Sequence, residues 1–342
     1  MIAADTALAQ AQDVARTILG APIEVSHFVG GGCNSRIYKV RFKQQEFALK
    51  QYPLSVDDSG GRLAAEVGAL RLMERHQVDA VPRVVGVDHD RGYALLTWID
   101  GSAVREPTNA DVDAALAFLE VIHGLRQLPR AADQPPAAEA CLTGAEIDRQ
   151  IGRRFARLQS LEAESELLTF LESCFRPVWH RTVKQARADM EAAGGDFSAD
   201  LLHERRSLIP ADFGFHNSLR RRDGALAFID FEYFGWDDPV KLTADTLLHP
   251  GTSLAAPQSN RFRRGAVRLY GGDATFEQRL SAYLPLFTLR WTLIVLNEFV
   301  PERWERRLMS GIARSWKDVK ADQLAKARDM LASLPETMCE QA

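Results

Sequence analysis

The spacing of apolar residues in this chain turns from alternating to helical near Gly101, and that change limits the folds open to it. From Ile23 to Trp98 they come in short runs of alternating character, rich in β-branched and aromatic types: Val25–Val29, Ile37–Phe42, Glu46–Gln51, Val84–Val87 and Tyr93–Trp98. A period of two puts successive side chains on opposite faces of an extended backbone, so each run predicts a strand. A single helical stretch, with Leu63, Val67 and Leu70 on one face, interrupts them. After Gly101 the spacing becomes three and four, as in Leu116, Leu119, Ile122 and again in Ile147, Ile151, Phe155, Leu158. That is the period of helices with one buried face. The expectation is an α+β chain, with a small antiparallel-sheet lobe over 1–98 and a larger, mainly helical lobe over 99–342. A leading helix over 1–20 has apolar residues at Ala7, Leu8, Ala11, Val14, Ala15 and Ile18, a helical spacing, and ends at Gly20, with Pro22 beyond.

Bulk properties narrow the function classes. With 342 residues, the chain can bury a sizeable core and form about two domains or lobes. A net charge of -4 supplies no overall basic field, so nucleic acid is not an expected partner. The cysteines, Cys33, Cys141, Cys174 and Cys339, form no CxxC pair and have no histidine at ligand spacing. A disulfide framework or zinc site is therefore not expected, and a cytoplasmic, reducing setting is. The N-terminus has an early acid, Asp5, and no basic stretch, unlike a secretory signal. Leu284–Val300 is the most apolar stretch, but Arg290 interrupts it and it is short for a bilayer. A buried helix is expected there, with no membrane insertion. The oligomeric state is not legible.

The chemistry concentrates in residues 208–231. There Asp212 is followed five positions later by Asn217, and Asp230 ends an apolar run beyond the Asp223-Gly224 turn. Kinase-type phosphoryl transfer needs such a set: a carboxylate to orient the attacking hydroxyl and take its proton, with an amide and a second carboxylate to hold Mg²⁺ on nucleotide phosphates. Upstream, Gly30-Gly-Gly32 lies between two expected strands. A glycine backbone can approach phosphates closely, and Asn34 and Ser35 add donors; the competing reading is a hairpin loop that needs positive φ. Lys50 ends the next strand, where a lysine held by a carboxylate can reach α- and β-phosphates. Glu66, beside the apolar face of the following helix, is the candidate holder, while the competing reading makes Lys50 a solvated strand end. The order of the parts carries the argument: glycine hairpin, strand lysine, helix glutamate, helices, Asp-x4-Asn, hairpin, aspartate.

The chain resembles the aminoglycoside phosphotransferase/choline kinase family, the small-molecule branch of kinase-like enzymes. The resemblance rests on Gly31-Gly-Cys-Asn-Ser-Arg-Ile-Tyr-Lys-Val40, Asp212-Phe-Gly-Phe-His-Asn217, Phe228-Ile-Asp-Phe-Glu232 and Gly235-Trp-Asp-Asp-Pro239. It implies a protein-kinase-like two-lobe fold and transfer of a γ-phosphate from ATP or GTP, with Mg²⁺, to a hydroxyl of a small molecule such as a sugar, amino alcohol or aminoglycoside-like compound. By the same resemblance, Gly31, Gly32, Asn34 and Ser35 would touch phosphates, and Lys50 would bind them under the hold of Glu66. Thr97, Trp98 and Ile99 would form the hinge that reads adenine. Asp212 would be the catalytic acid–base group, Asn217 and Asp230 the magnesium ligands, and Asp245 a structural acid. One position departs from the family: Pro210 stands where it usually has histidine.

Other residues carry competing readings. His216 can touch phosphate or acceptor, or simply support its loop. Arg220–Arg222 reads as a solvated hairpin tip in preference to an anion site, and Trp291 as core packing. For the whole chain, the alternative to an enzyme is a non-catalytic, kinase-like nucleotide sensor or scaffold. Protein kinase activity is disfavoured, since little chain separates Asp230 from Pro239 for an activation segment.

Overall fold

In the computed structural model, which describes residues 2–21, 23–28, 35–53, 61–161, 164–252, 254–304 and 314–334, the runs before Gly101 form one antiparallel sheet. Its strands are β1 (Glu24–Phe28), β2 (Arg36–Phe42), β3 (Gln45–Gln51), β4 (Val84–Asp88) and β5 (Tyr93–Thr97), in the order β1-β2-β3-β5-β4. Both faces of the sheet are used, and alternation along each strand decides which residues go where. Tyr38 and Val40 of β2, Phe47 and Leu49 of β3, and Tyr93 and Leu95 of β5 pack with Ala11, Val14 and Ala15 of the leading helix α1 (Ile2–Leu19). The neighbouring positions, Lys50 among them, face the other way, towards α2 (Gly61–Arg75). The close approach of α1 to β4 depends on Gly86, where a Cβ would lie 2.3 Å from Ile18 Cγ2.

Beyond the sheet come β6 (Ser102–Ala103) and α3 (Asn109–Leu125). Thr108 starts α3 with a capping box: its hydroxyl accepts from Asp111 N, and the Asp111 carboxylate accepts from Thr108 N at 2.7 Å. After β7 (Ser207–Ile209), the hairpin of β8 (Ser218–Arg220) and β9 (Leu226–Phe228) joins β6 in a second sheet, ordered β6-β8-β9. The Asp223-Gly224 turn lies where the hairpin was expected. A further strand, β10, spans Gly235–Asp237.

The chain divides into two compact units, one of Met1–Ala138 with Leu208–Trp236, the other of Glu139–Ser207 with Asp237–Ala342. The second is helical. It contains α4 (Gly144–Gln159), α5 (Ser165–Thr169), which runs through a π-helical turn into α6 (Arg176–Ala192), then α7 (Pro239–Leu248), α8 (Ala256–Leu269), α9 (Phe276–Val295) and α10 (Trp316–Ala332). At its centre α9 packs on α4, α6, α7 and α10. With its continuation to Phe299, α9 is long and apolar enough to cross a membrane, but most of its apolar stretch is buried inside the protein. That is the burial of a core helix, as the sequence predicts. Arg290, near its end, is buried against Asp245 and Glu139.

Candidate active site

The site in the first unit is organised around Lys50. Its place on β3, opposite Ala94 of β5 and Ile37 of β2, puts it on the α2 face of the sheet, where it is 3% exposed. The ammonium lies 2.6 Å from Glu66 Oε2, 2.6 Å from Asp230 Oδ1 and 3.1 Å from Glu232 Oε2. Burial alone would lower the lysine's proton affinity, but the carboxylates, Glu66 first, outweigh it and hold Lys50 well above its ordinary value. Glu66 also joins separate parts of the chain. Its Oε2 accepts from the Tyr52 hydroxyl at 2.6 Å, and its Oε1 from the backbone N–H of Phe231 at 3.2 Å.

Asp230 follows β9 with φ of +70°, a left-handed conformation that costs most residues about 1 kcal/mol or more and that aspartate tolerates better than most. The bend aims its carboxylate at Lys50. Desolvation by the surrounding protein, then Glu66 and Glu232, push Asp230 up to about 7 against the pull of Lys50. Three carboxylates therefore share one ammonium, with the Arg62 guanidinium 3.6 Å from Glu232 Oε1 at the edge. This surplus of hard anionic oxygen fits a divalent cation such as Mg²⁺.

The loop carrying Asp212 is held by its own polar groups. Asn217 Nδ2 donates to the Asp212 carbonyl at 2.9 Å and lies 3.5 Å from its Oδ2, and His216 Nε2 is 3.2 Å from its Oδ1. The N–H of Asn217 and the hydroxyl of Ser218 both donate to the Gly214 carbonyl, at 3.1 and 3.0 Å. Ile229 N–H donates to the Asn217 carbonyl at 3.0 Å, so the loop is tied to the residue preceding Asp230. Beneath both, Phe213 and Phe228 lie with ring centroids 5.2 Å apart, and Phe118 of α3 stacks on Phe228 at 4.3 Å. This aromatic base fixes the Asp212 loop and the Asp230 segment to one support.

The structure thus brings Lys50, Glu66 and Asp230 into direct contact, and joins Asp212 to Asn217 and Asn217 to the Asp230 segment. Gly31, Gly32 and Asn34 lie outside the described residues; Ser35 is described, just before β2. At the expected hinge, Thr97 N–H donates to Arg83 O at 2.9 Å and Trp98 N–H to Glu46 O at 3.3 Å. The Trp98 indole donates to Asp100 Oδ1 at 3.0 Å, under the Lys39 ammonium 4.4 Å from the ring centroid.

Sequence reasoning missed some members of this arrangement. Tyr52 and Glu232 both meet the Lys50 cluster. The available signal was spacing: Tyr52 is two residues from Lys50, and Glu232 two from Asp230. The reading of Arg220–Arg222 as a solvated tip is corrected for its first residue. Arg220 forms a bidentate pair with Asp111 at 2.6 and 2.8 Å, and Asp111 is 3% exposed.

The segment Gly235–Pro239 supplies structure. A Cβ at Gly235 would meet the backbone of Pro135, Pro136 and Ala137 at 2.4 to 2.6 Å, which only glycine avoids. Asp238 caps α7 through Val240 N at 2.9 Å and pairs with Arg279 through both oxygens at 3.0 Å. Asp237 is fully buried, and its Oδ1 accepts from Cys141 N and Asp238 N at 2.8 Å each. Its Oδ2 has no hydrogen-bond partner among the described residues and lies 3.8 Å from buried Lys241. Burial pushes Asp237 up to about 7 despite Lys241. Asp245 accepts from the Trp291 indole at 2.7 Å and stands 3.0 Å from Lys241, with Trp291 in the core.

Solved structures of known proteins share this fold. The spectinomycin phosphotransferase solved with ADP and spectinomycin is similar over 95% of this chain and 97% of its own, at 12% identity and a TM-score of 0.63. For the choline kinase of Streptococcus pneumoniae the coverage is 94% and 99%, with 16% identity and a TM-score of 0.56. For an ethanolamine kinase of Plasmodium vivax it is 92% and 83%, with 12% identity and a TM-score of 0.54. At such identities the likeness shows the fold, which is α+β and protein-kinase-like, as the sequence predicts. No curated protein matches the chain. The model of the phosphotransferase enzyme family matches residues 27–283, the larger part of the chain, and the chain belongs to that family.

Proposed function

We propose that the protein transfers the γ-phosphoryl group of ATP or GTP to a hydroxyl of a small molecule, such as a sugar, amino alcohol or aminoglycoside-like compound. The observation that carries this reading is the contact of one buried ammonium, Lys50, with both Glu66 and Asp230. A kinase-type site needs that lysine to be fixed and charged before the phosphates arrive. Lys50 binds the nucleotide phosphates, and Glu66 and Glu232 are the carboxylates beside Asp230 that hold it in place. Asn217 and Asp230 are the side chains that would hold Mg²⁺, which when bound neutralises charge on the phosphates. Gly31, Gly32, Asn34 and Ser35 would cover them. The base is read along Thr97–Ile99; since the Thr97 and Trp98 amides are engaged, the Ile99 amide is the proposed donor.

In the transfer, the acceptor oxygen forms a bond to the γ-phosphorus while the bond to the β-phosphate oxygen breaks and nucleoside diphosphate leaves. Asp212 orients the hydroxyl and takes its proton. The same reading keeps residues 1–98 as the nucleotide-binding lobe and 99–342 as the lobe with catalytic loop and acceptor site, and places the reaction in the cytoplasm. The test is a panel of sugars, amino alcohols and aminoglycosides incubated with the protein, Mg²⁺ and nucleotide, read by mass spectrometry. A phosphorylated panel member supports the reading. Binding of nucleotide without transfer to any member favours a scaffold.

A further inference from the structure

We propose that His216 is a positioning residue for Asp212, an inference that rests on the role given to Asp212 above. The sequence alone left His216 divided between a ligand contact and a loop support. The geometry points to a more specific task. His216 lies four residues after Asp212, in the 3-10 turn Phe215–Asn217, and its Nε2 is 3.2 Å from Asp212 Oδ1. Its side chain is 19% exposed and that of Asp212 is 35% exposed, so the imidazole is the more enclosed of the two. Asn217 grips the other side of the same residue, through the Asp212 carbonyl at 2.9 Å and, at the limit of a contact, Oδ2 at 3.5 Å.

A carboxylate on a loop rotates about its side-chain bonds unless donors hold it, and a catalytic group turned out of line by about 1 Å can cost about a hundredfold in rate. The Asn217 amide mainly holds the backbone of Asp212. The His216 N–H is the short-range donor that fixes the carboxylate itself. Two requirements follow: His216 carries its proton on Nε2, and only a side chain placing a donor at that point can replace it. Glutamine puts its amide nitrogen near the Nε2 position, whereas asparagine puts its own near Nδ1.

The experiment uses the full chain as wild type, His216→Ala, His216→Gln, His216→Asn and Asp212→Ala. Turnover of Mg²⁺-nucleotide with the panel acceptor, or with water, is measured beside nucleotide affinity by calorimetry. Ring ¹⁵N NMR of His216 gives its protonation site without any need for turnover. The expected result is a fall in kcat of about ten- to a hundredfold for His216→Ala, with nucleotide affinity within about twofold. His216→Gln recovers most of the rate, His216→Asn does not, and the NMR spectrum shows Nε2–H. A His216→Ala variant with wild-type turnover beside an inactive Asp212→Ala would overturn this inference alone. An Nε2 without a proton would overturn it even if no turnover is measurable. Retained transfer in Asp212→Ala would overturn the parent role and this inference together.

Discussion

Lys50 Nζ stands 2.6 Å from a carboxylate oxygen of Glu66 and 2.6 Å from one of Asp230, so a single buried ammonium joins β3, α2 and the segment after β9. Replacing Lys50 by methionine leaves these two acids without their shared cation, with Arg62 near Glu232 only. Removing one member of a buried ion pair costs about 3–5 kcal/mol. The loss should shrink in acid, because a protonated Asp230 no longer needs a cation. Urea denaturation of Lys50→Met and wild type at about pH 5 and about pH 8 checks this. An equal loss at both would count against the shared-charge description.

Asp230→Asn separates chemistry from folding at the same cluster. Asparagine accepts the left-handed φ of +70° at least as well as aspartate, and the change removes one of the carboxylates competing for Lys50. Thermal stability should be unchanged or higher, while phosphoryl transfer should fall about a hundredfold or more. Melting curves and turnover on the same preparation decide it; a less stable variant with normal turnover would contradict the assignment.

Arg220→Ala tests the tie between α3 and the hairpin. Burial raises the Asp111 carboxyl, but the Arg220 guanidinium and the Thr108 donors hold it down at about 2. Since the folded value lies below the usual one near 4, the pair adds stability at higher pH that is lost as pH falls through about 4 to 2. The expected cost at neutral pH is about 1–3 kcal/mol, less than for a fully buried pair because the Arg220 side chain is 35% exposed. The acid limb of the stability curve should flatten in the variant, and an unaltered limb would show that Arg220 is not what holds Asp111.

Asp237 has the opposite sign. Its folded value of about 7 lies above the unfolded one, so the stability from its protonated form is complete below about pH 4 and is lost as pH rises to about 7. One such group gives a slope of about 1.4 kcal/mol per pH unit within that window. Denaturation of Asp237→Asn between those limits should show a slope shallower by that amount. An unchanged slope would mean that Asp237 is ionised throughout.

These relationships also mark what the sequence could tell. Strands β1 to β5 were legible because their alternation is local, and Lys50, Glu66 and Asp230 because their order along the chain is that of a kinase-like enzyme. The contacts of Tyr52 and Glu232 with the Lys50 cluster were not legible, since their spacing from Lys50 and Asp230 gains meaning only once those two side chains meet. The pairing of Arg220 with Asp111 spans 109 residues, and no local pattern in an arginine run announces a buried partner. Of the buried set Asp237, Lys241 and Asp245, only the structural role of Asp245 was expected, from the family resemblance, and the other two were hidden for a related reason. Charged residues at helical spacing usually read as a solvated face, and only the packing of α9 over them reverses that.

Asp212 is the residue whose removal tests the proposed transfer most directly. Purified Asp212→Ala, given Mg²⁺-nucleotide and the acceptor found in the hydroxyl panel, should lose transfer by about 10²- to 10⁴-fold. It should still bind nucleotide within about twofold of wild type, because Lys50, Glu66 and Asp230 are untouched. Transfer within about tenfold of wild type in that variant would contradict the assignment of Asp212 as the group that orients and deprotonates the hydroxyl.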